Sequence, residues 1–292
     1  MKKEEFYLLT TKHLENNLWF KDEEDFKVGM NFVAIQACRS DVKVLAFILM
    51  SNHLHFVVTG TKDSARLFID RIKLRYSKYL RNKYGCMEFL RGNGVDIRSV
   101  QPEDDGLERA IAYVQMNCVA ANICSHPSQY PWGTGNAFFR VAPASGRLLE
   151  TFSGREKCRL LHSWEDALPA FLQICDGGYI LPESYVQVSF VESLFRSANR
   201  FNYFLSTSSK AKKRLDAADS NLPAFRDQII HASLSDLCQS LFRKPQFQDL
   251  GESEKTEVLR QIRYRFSAEI NQIARVTGLS YEETASLLDR EQ

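Results

Sequence analysis

Two periods of apolar residues share the first part of the chain. Phe6 to Thr11 (FYLLTT) is strand-like, whereas Asp22 to Arg39 carries Phe26, Met30, Phe32, Val33 and Ile35 at helical spacing. VKVLAFILM and LHFVVTG then read as two strands joined by a turn at Ser51-Asn52. Lys62 to Tyr84 is expected to be one long helix, with Ser64 at its start and Gly85 beyond its end. Val95 to Val100 forms another short strand. Leu107 to Asn122 forms another helix, opened by the acidic PEDD and closed before His126-Pro127. The order strand, helix, strand, strand, helix, strand, helix predicts an α+β fold, a ferredoxin-like antiparallel sheet with helices on a face.

The pattern changes after Tyr130-Pro131-Trp132. Residues from about Gly133 to Ser163 mix Gly, Pro, Ser and charges as a connector does, and from Trp164 onward the apolar spacing is helical. Two domains are therefore expected: an α+β domain over 1–140 and an all-α domain over 141–292. The polar run STSSKAKKR (Ser206 to Arg214) reads as a surface loop or helix end. Near the end, Ile270, Ile273 and Ala274, then Gly278-Leu279-Ser280, then Ala285, Leu287 and Leu288 have the spacing of a helix-turn-helix over about 266–290. Plain α-hairpins share that spacing, and the second helix is acidic (Glu282, Glu283, Asp289), which counts against contact with a DNA groove.

Composition narrows the class. With 292 residues and 44% apolar content, the chain can bury a large core. There is no run long and apolar enough for a membrane span, and the start, MKKEEFYLLT, has acidic residues where a signal peptide would place its apolar region. Seven scattered cysteines with no CxxC spacing argue against a disulfide framework or structural zinc and suit a reducing cytoplasm. A net charge of +2 hides a strong asymmetry: Arg66 to Arg91 holds eight basic residues against two acidic ones. Within it, Arg66, Arg71, Lys73, Arg75, Lys78, Arg81 and Lys83 are interleaved with Phe68, Tyr76, Tyr79 and Tyr84, a mixture that suits phosphates and bases. A solvated helix face has the same composition.

The chain has six histidines, and two of them stand in MSNHLHFVV. Strand alternation sets His53 and His55 on one side and Leu54 and Phe56 on the other. Such a pair can bind one divalent metal or can simply sit at a sheet edge. On the helix from Leu107, residues Leu107, Ile111, Val114, Cys118 and Ala121 form an apolar stripe, with Tyr113 and Asn117 one turn apart beside it. If that stripe packs on the sheet, Tyr113 becomes a candidate nucleophile and the Asn117 oxygen a candidate third ligand.

MSNHLHFVV, the basic aromatic helix, AYVQMNCVAANI and YPWGTGNAF resemble, in order and spacing, the single-tyrosine transposases of the HUH nuclease superfamily, in particular the REP-associated tyrosine transposases. The resemblance covers about residues 1–140. It implies that His53 and His55 coordinate a divalent metal, that Tyr113 is the nucleophile and that Asn117 belongs to the tyrosine motif. Ser51 stands where proline is usual, Cys118 replaces the motif's proline, and Ala120-Ala121-Asn122 replaces Arg-Ala-Gly; none of these removes a catalytic group.

The implied activity is a metal-dependent endonuclease and strand transferase on single-stranded or hairpin DNA, with Mg²⁺ or Mn²⁺ and a 5′-phosphotyrosine intermediate. A DNA-binding regulator that keeps the fold without cleaving, and an RNA-directed protein, are the alternatives. Apolar patterning leaves monomer and homodimer equally open.

Overall fold

A computed structural model describes residues 5–12, 18–85, 89–121, 123–142, 144–162, 168–209, 225, 227–266 and 268–289. Their contacts divide the chain into two compact units. One comprises Met1–Lys12, Phe26–Met50 and Leu54–Asp216; the other comprises His13–Asp25, Ser51–His53 and Ala217–Gln292.

The first unit begins with β1 (Phe6–Thr11), α1 (Glu23–Cys38) from Phe26 on, β2 (Lys43–Met50), β3 (His53–Thr59) from Leu54 on, α2 (Lys62–Tyr84), the short α3 (Phe89–Gly92) and β4 (Val95–Val100). The strands lie in the order β2-β3-β1-β4, with β3 inserted between β1 and β2 in a split βαβ layout. β1 pairs antiparallel with β3 and β4, setting Thr10 opposite both His55 and Asp96, and Leu8 opposite both Val57 and Arg98. Directly opposed residues share a face, so His55, Asp96 and Arg98 lie on the same side of the sheet.

Every residue of β3 is buried, which a sheet covered on one face would not produce. On one side Phe56 meets Phe68 of α2 edge-on, with ring centroids 5.3 Å apart, and Phe32 of α1 meets Tyr76 of α2 at 6.5 Å. On the other side runs α4 (Gly106–Gln115), whose Tyr113 ring meets His55. The expectation of helices on a single face is therefore corrected to a sheet sandwiched at β3.

α2 has the expected bounds, but Thr61 rather than Ser64 starts it. Thr61 accepts from the Ser64 N–H while the Ser64 side chain bonds back to the Thr61 N–H, a reciprocal cap that satisfies two otherwise orphaned donors. Gly85, at φ 88°, ends the helix in a region where side chains are disfavoured.

The helix expected from Leu107 to Asn122 is broken. α4 ends at Gln115 and α5 (Asn117–Ala120) follows a turn at Met116; Asn122 lies outside the described residues. The Asn117 amide donates to the carbonyls of Tyr113 and Val114, the competition with backbone bonding that makes asparagine a poor interior residue. The PEDD segment also acts differently from expectation. Asp105 makes no capping bond and instead pairs with Arg200.

Residues 130–134 close the outer edge of the sheet. The Leu49 N–H donates to Trp132 O and the Thr134 N–H to Phe47 O, while the Tyr130 hydroxyl donates to Leu49 O. Covering β2 in this way removes a row of unpaired backbone groups. Gln115 reaches the same segment, donating to Thr134 Oγ1 at 2.6 Å.

The connector beyond contains β5 (Arg147–Leu148), α6 (Gly154–Leu161), β6 (Gln173–Ile174), α7 (Val188–Phe195) and α8 (Ala198–Thr207). These elements belong to the first unit, so the boundary expected at 140/141 falls at 216/217 instead. Buried Asn31 explains why. Its amide donates to the carbonyls of Leu160 and Gly178, its Oδ1 accepts from the Ile180 N–H, and the Gln187 N–H donates to Val44 O on β2. The helical domain expected over 141–292 is thus two things, an extension of the sheet unit and a smaller helical unit. Of the polar run at Ser206–Arg214, only residues up to 209 are described.

The second unit packs α9 (Asp227–Phe242), α10 (Glu252–Phe266), α11 (Ile270–Thr277) and α12 (Tyr281–Asp289) around Ile230, Leu237, Val258, Leu259, Ile262 and Ile273. α11 ends at Gly278 (φ 77°), and Ser280 and Glu283 cap α12 reciprocally. No described helix is long and apolar enough to cross a membrane.

Gly133 is where the edge segment comes closest to β2. A Cβ there would sit 2.6 Å from Phe47 O, a contact with backbone that nothing flexible relieves. Gly133→Ala is expected to lower stability by about 1–3 kcal/mol in urea unfolding; an unchanged midpoint would show that the edge segment shifts freely.

Candidate active site

β3 opens with His53 and carries His55 two residues on, so pleat alternation gives both imidazoles one face of the strand. Both are buried, and each is oriented through Nδ1. The His53 Nδ1 lies 2.8 Å from Asn52 Oδ1 and the His55 Nδ1 lies 2.9 Å from Thr10 Oγ1. A carboxamide oxygen only accepts, so the neutral His53 bonded this way carries its proton on Nδ1 and its lone pair on Nε2. Thr10 can accept or donate, and permits the same tautomer at His55. A hydrogen bond on one ring nitrogen that fixes the ring and leaves the other with a lone pair is the arrangement metal-binding histidines use.

Ser51, in the turn before His53, donates to Asp227 Oδ2 at 2.6 Å, and Asp227 is also held by Arg275 and Gln272. A proline at position 51 would supply no such donor.

Tyr113 stands on α4 with its ring perpendicular to that of His55 (89°) and centroids 5.8 Å apart. The ring is half-buried. Burial pushes the phenol above its ordinary range, and the Arg98 guanidinium pulls in the opposite direction. Asn117 is buried, not superficial. Helix carbonyls only accept, so its NH₂ must face Tyr113 O and Val114 O, and its Oδ1 is turned away from them.

By donor chemistry, two imidazole nitrogens and a carboxamide oxygen, the types that His53, His55 and Asn117 carry, fit a divalent metal of the first transition row or, with water and phosphate oxygens, magnesium. The set has no anionic member. Among the described residues there is no group of three or more His, Cys, Asp or Glu placed to hold a metal.

The basic residues expected to contact DNA lie elsewhere. On α2, Arg66, Arg71, Lys78, Arg81 and Lys83 are exposed and Arg75 is half-buried. Lys73 departs from the set: it is buried, its ammonium donates to Asn93 O, and burial lowers its pKa. It is not on the solvent face. α2 also covers the Phe56 side of β3, so its cations lie across the sheet from His55 and Tyr113.

Two cations that sequence reasoning passed over lie on the Tyr113 side. Arg98, on β4, shares the sheet face of His55 and is mostly exposed, paired with Asp96 at 2.5 Å. Arg109, exposed one turn before Tyr113 on α4, has no ion-pair partner among the described residues. Strand alternation from Val95 placed Arg98 with Asp96 on one face, but which face required the pairing with β1. Arg109 was legible as the residue four before Tyr113.

No family model matches the chain, and no curated protein matches it. Among solved structures, a REP-associated tyrosine transposase bound to a REP hairpin is similar with a TM-score of 0.36 and 12% identity, over 46% of this chain and 77% of that one. A likeness that slight supports neither fold nor function, and the reading of the site rests on its own residues.

The charge on Arg98 favours the phenolate of Tyr113. Removing it in Arg98→Gln is expected to raise the Tyr113 pKa further, read as an upward shift of its titration in NMR of ¹³C-tyrosine-labelled protein, with Tyr113→Phe assigning the resonance. An unmoved titration would show that Arg98 is not felt at the phenol.

Proposed function

We propose that the chain is a metal-dependent nuclease and strand transferase that acts on single-stranded or hairpin DNA through a 5′-phosphotyrosine link at Tyr113. The observation that carries this reading is the apposition of the Tyr113 ring to His55 on the sheet face that also bears Arg98.

His53, His55 and Asn117 would hold the metal, Mg²⁺ or Mn²⁺. When bound, such an ion supplies Lewis-acid polarisation of a phosphodiester oxygen. The protein supplies the nucleophile: the Tyr113 oxygen bonds to phosphorus as the bond to the 3′ oxygen breaks. The phenolic proton passes to solvent, and the 3′ oxygen leaves as a free hydroxyl after taking up a proton. Because the phosphotyrosine ester retains the bond, a 3′-hydroxyl can attack it in turn and reseal or transfer the strand. Burial works against the phenolate, and Arg98 is the nearby group that works for it. A donor set without an anion leaves the metal's charge to the phosphates, so metal and DNA should each strengthen the other's binding.

The cations of α2 keep a place in this reading as contacts for a duplex stem, not for the strand at Tyr113, because they lie across the sheet. A regulator that reads DNA through α11 and α12 gains little support. The first turn of α12 presents Glu282 and Glu283, which repel phosphate.

Incubation with a hairpin-bearing single strand and Mn²⁺ is expected to give a covalent protein–DNA band on a denaturing gel. Tyr113→Phe should abolish it. An undiminished adduct in that variant would refute the assignment.

A further inference from the structure

α8 lies beyond residue 140, yet it packs against α4, the helix that carries Tyr113. Between the two runs a cleft of about 400 Å³ whose walls include Asp105, Arg109, Tyr113, Tyr203, Phe204 and Thr207. Arg200 fixes its geometry. The guanidinium of this α8 residue reaches Asp105 at 2.7 Å and Glu108 at 3.3 Å, and also lies over the Phe204 ring at 5.1 Å.

Arg200 is shared between Asp105 and Glu108, and Arg109 is the cation of the cleft's own lining, with no ion-pair partner among the described residues. Tyr203 is 62% exposed, an unusual state for a ring of its size on a packed helix, and it meets Phe204 edge-on at 5.7 Å. One wall therefore offers a cation, another an accessible aromatic ring, and the cleft opens on the candidate nucleophile. Arg109 precedes Tyr113 by one helical turn, a rise of about 5.4 Å.

We propose that this cleft binds the nucleotide next to the scissile phosphodiester, with its base stacked on Tyr203 and its phosphate against Arg109. The inference rests on the strand-transfer reading for what lies at Tyr113, and adds to it a binding subsite supplied by the extension. A cation and an aromatic face suit one unpaired nucleotide, whose base has an exposed π-surface. A base pair already stacked in a duplex offers no such surface. The volume, at the low end for ligand pockets, also suits one nucleotide.

The test uses full-length protein carrying Tyr113→Phe, so that binding is measured without a covalent link. Its ligand is a hairpin-bearing single strand with 2-aminopurine placed in turn at each position flanking the hairpin. Tyr203→Ala in this background is expected to weaken binding about 5- to 100-fold and to restore the emission of one quenched 2-aminopurine. Tyr203→Trp should keep both affinity and quenching. Arg109→Gln should weaken binding and reduce the slope of affinity against salt by about one.

Both residues are exposed, so these variants should keep the parent's thermal unfolding. Failure of the parent to bind any single strand, or variants that bind and quench as the parent does, would overturn the inference. The adduct assay on the unmodified chain separates the two proposals. Loss of binding in Tyr203→Ala together with no adduct from unmodified protein supports the subsite and removes the strand-transfer reading. An adduct together with unchanged Tyr203→Ala binding removes the subsite alone.

Discussion

A pleated strand must send neighbouring side chains to opposite faces, and in β3 that constraint separates two environments along seven residues. Phe56 goes to the side packed by α2, where its ring meets Phe68. His55 goes to the other side, where Tyr113 of α4 closes over it. A register slip of one residue would bury the imidazoles in an apolar layer and turn Phe56 toward the phenol. The register is held from both directions, by the pairing of Thr10 with His55 and by the Leu54 N–H donating to Thr11 Oγ1.

The position of α4 depends in turn on parts of the chain that look peripheral. Gln115 at its end bonds Thr134 in the segment that covers the edge of β2, and Glu108 near its start bonds Arg200 of α8. Tyr113 lies between these two anchors. Helix packing, edge protection and presentation of the phenol are therefore one arrangement. The segment around Tyr130-Pro131-Trp132 is bonded to β2 through the Trp132 carbonyl and the Tyr130 hydroxyl.

Much of this could be read from the sequence, because it follows from local rules. The bounds of α2, the strand pair around Ser51-Asn52 and the common face of His53 and His55 need only spacing and alternation. What could not be read depends on residues distant in the chain. Asn31 holds residues 160, 178 and 180 to the first unit, so a change of apolar period after Trp132 marked a change of secondary structure and not of domain. Lys73 looked like one more cation in a basic helix, yet the helical stripe with Phe68, Ile69, Ile72 and Tyr76 turns it inward to Asn93. Charge counting singled out α2. Arg98 and Arg109, two cations in otherwise unremarkable segments, lie on the Tyr113 side, which for Arg98 only the pairing of β4 with β1 shows.

The central claim is that the imidazoles of His53 and His55 share one cation on the face closed by Tyr113. Electron spin echo spectroscopy of Mn²⁺ bound to protein with ¹⁵N-labelled histidine tests it most directly. The account predicts modulation from two histidine nitrogens, with one lost in His53→Gln and the other in His55→Gln. Bound Mn²⁺ that shows no histidine coupling, or coupling that both variants leave intact, would contradict it.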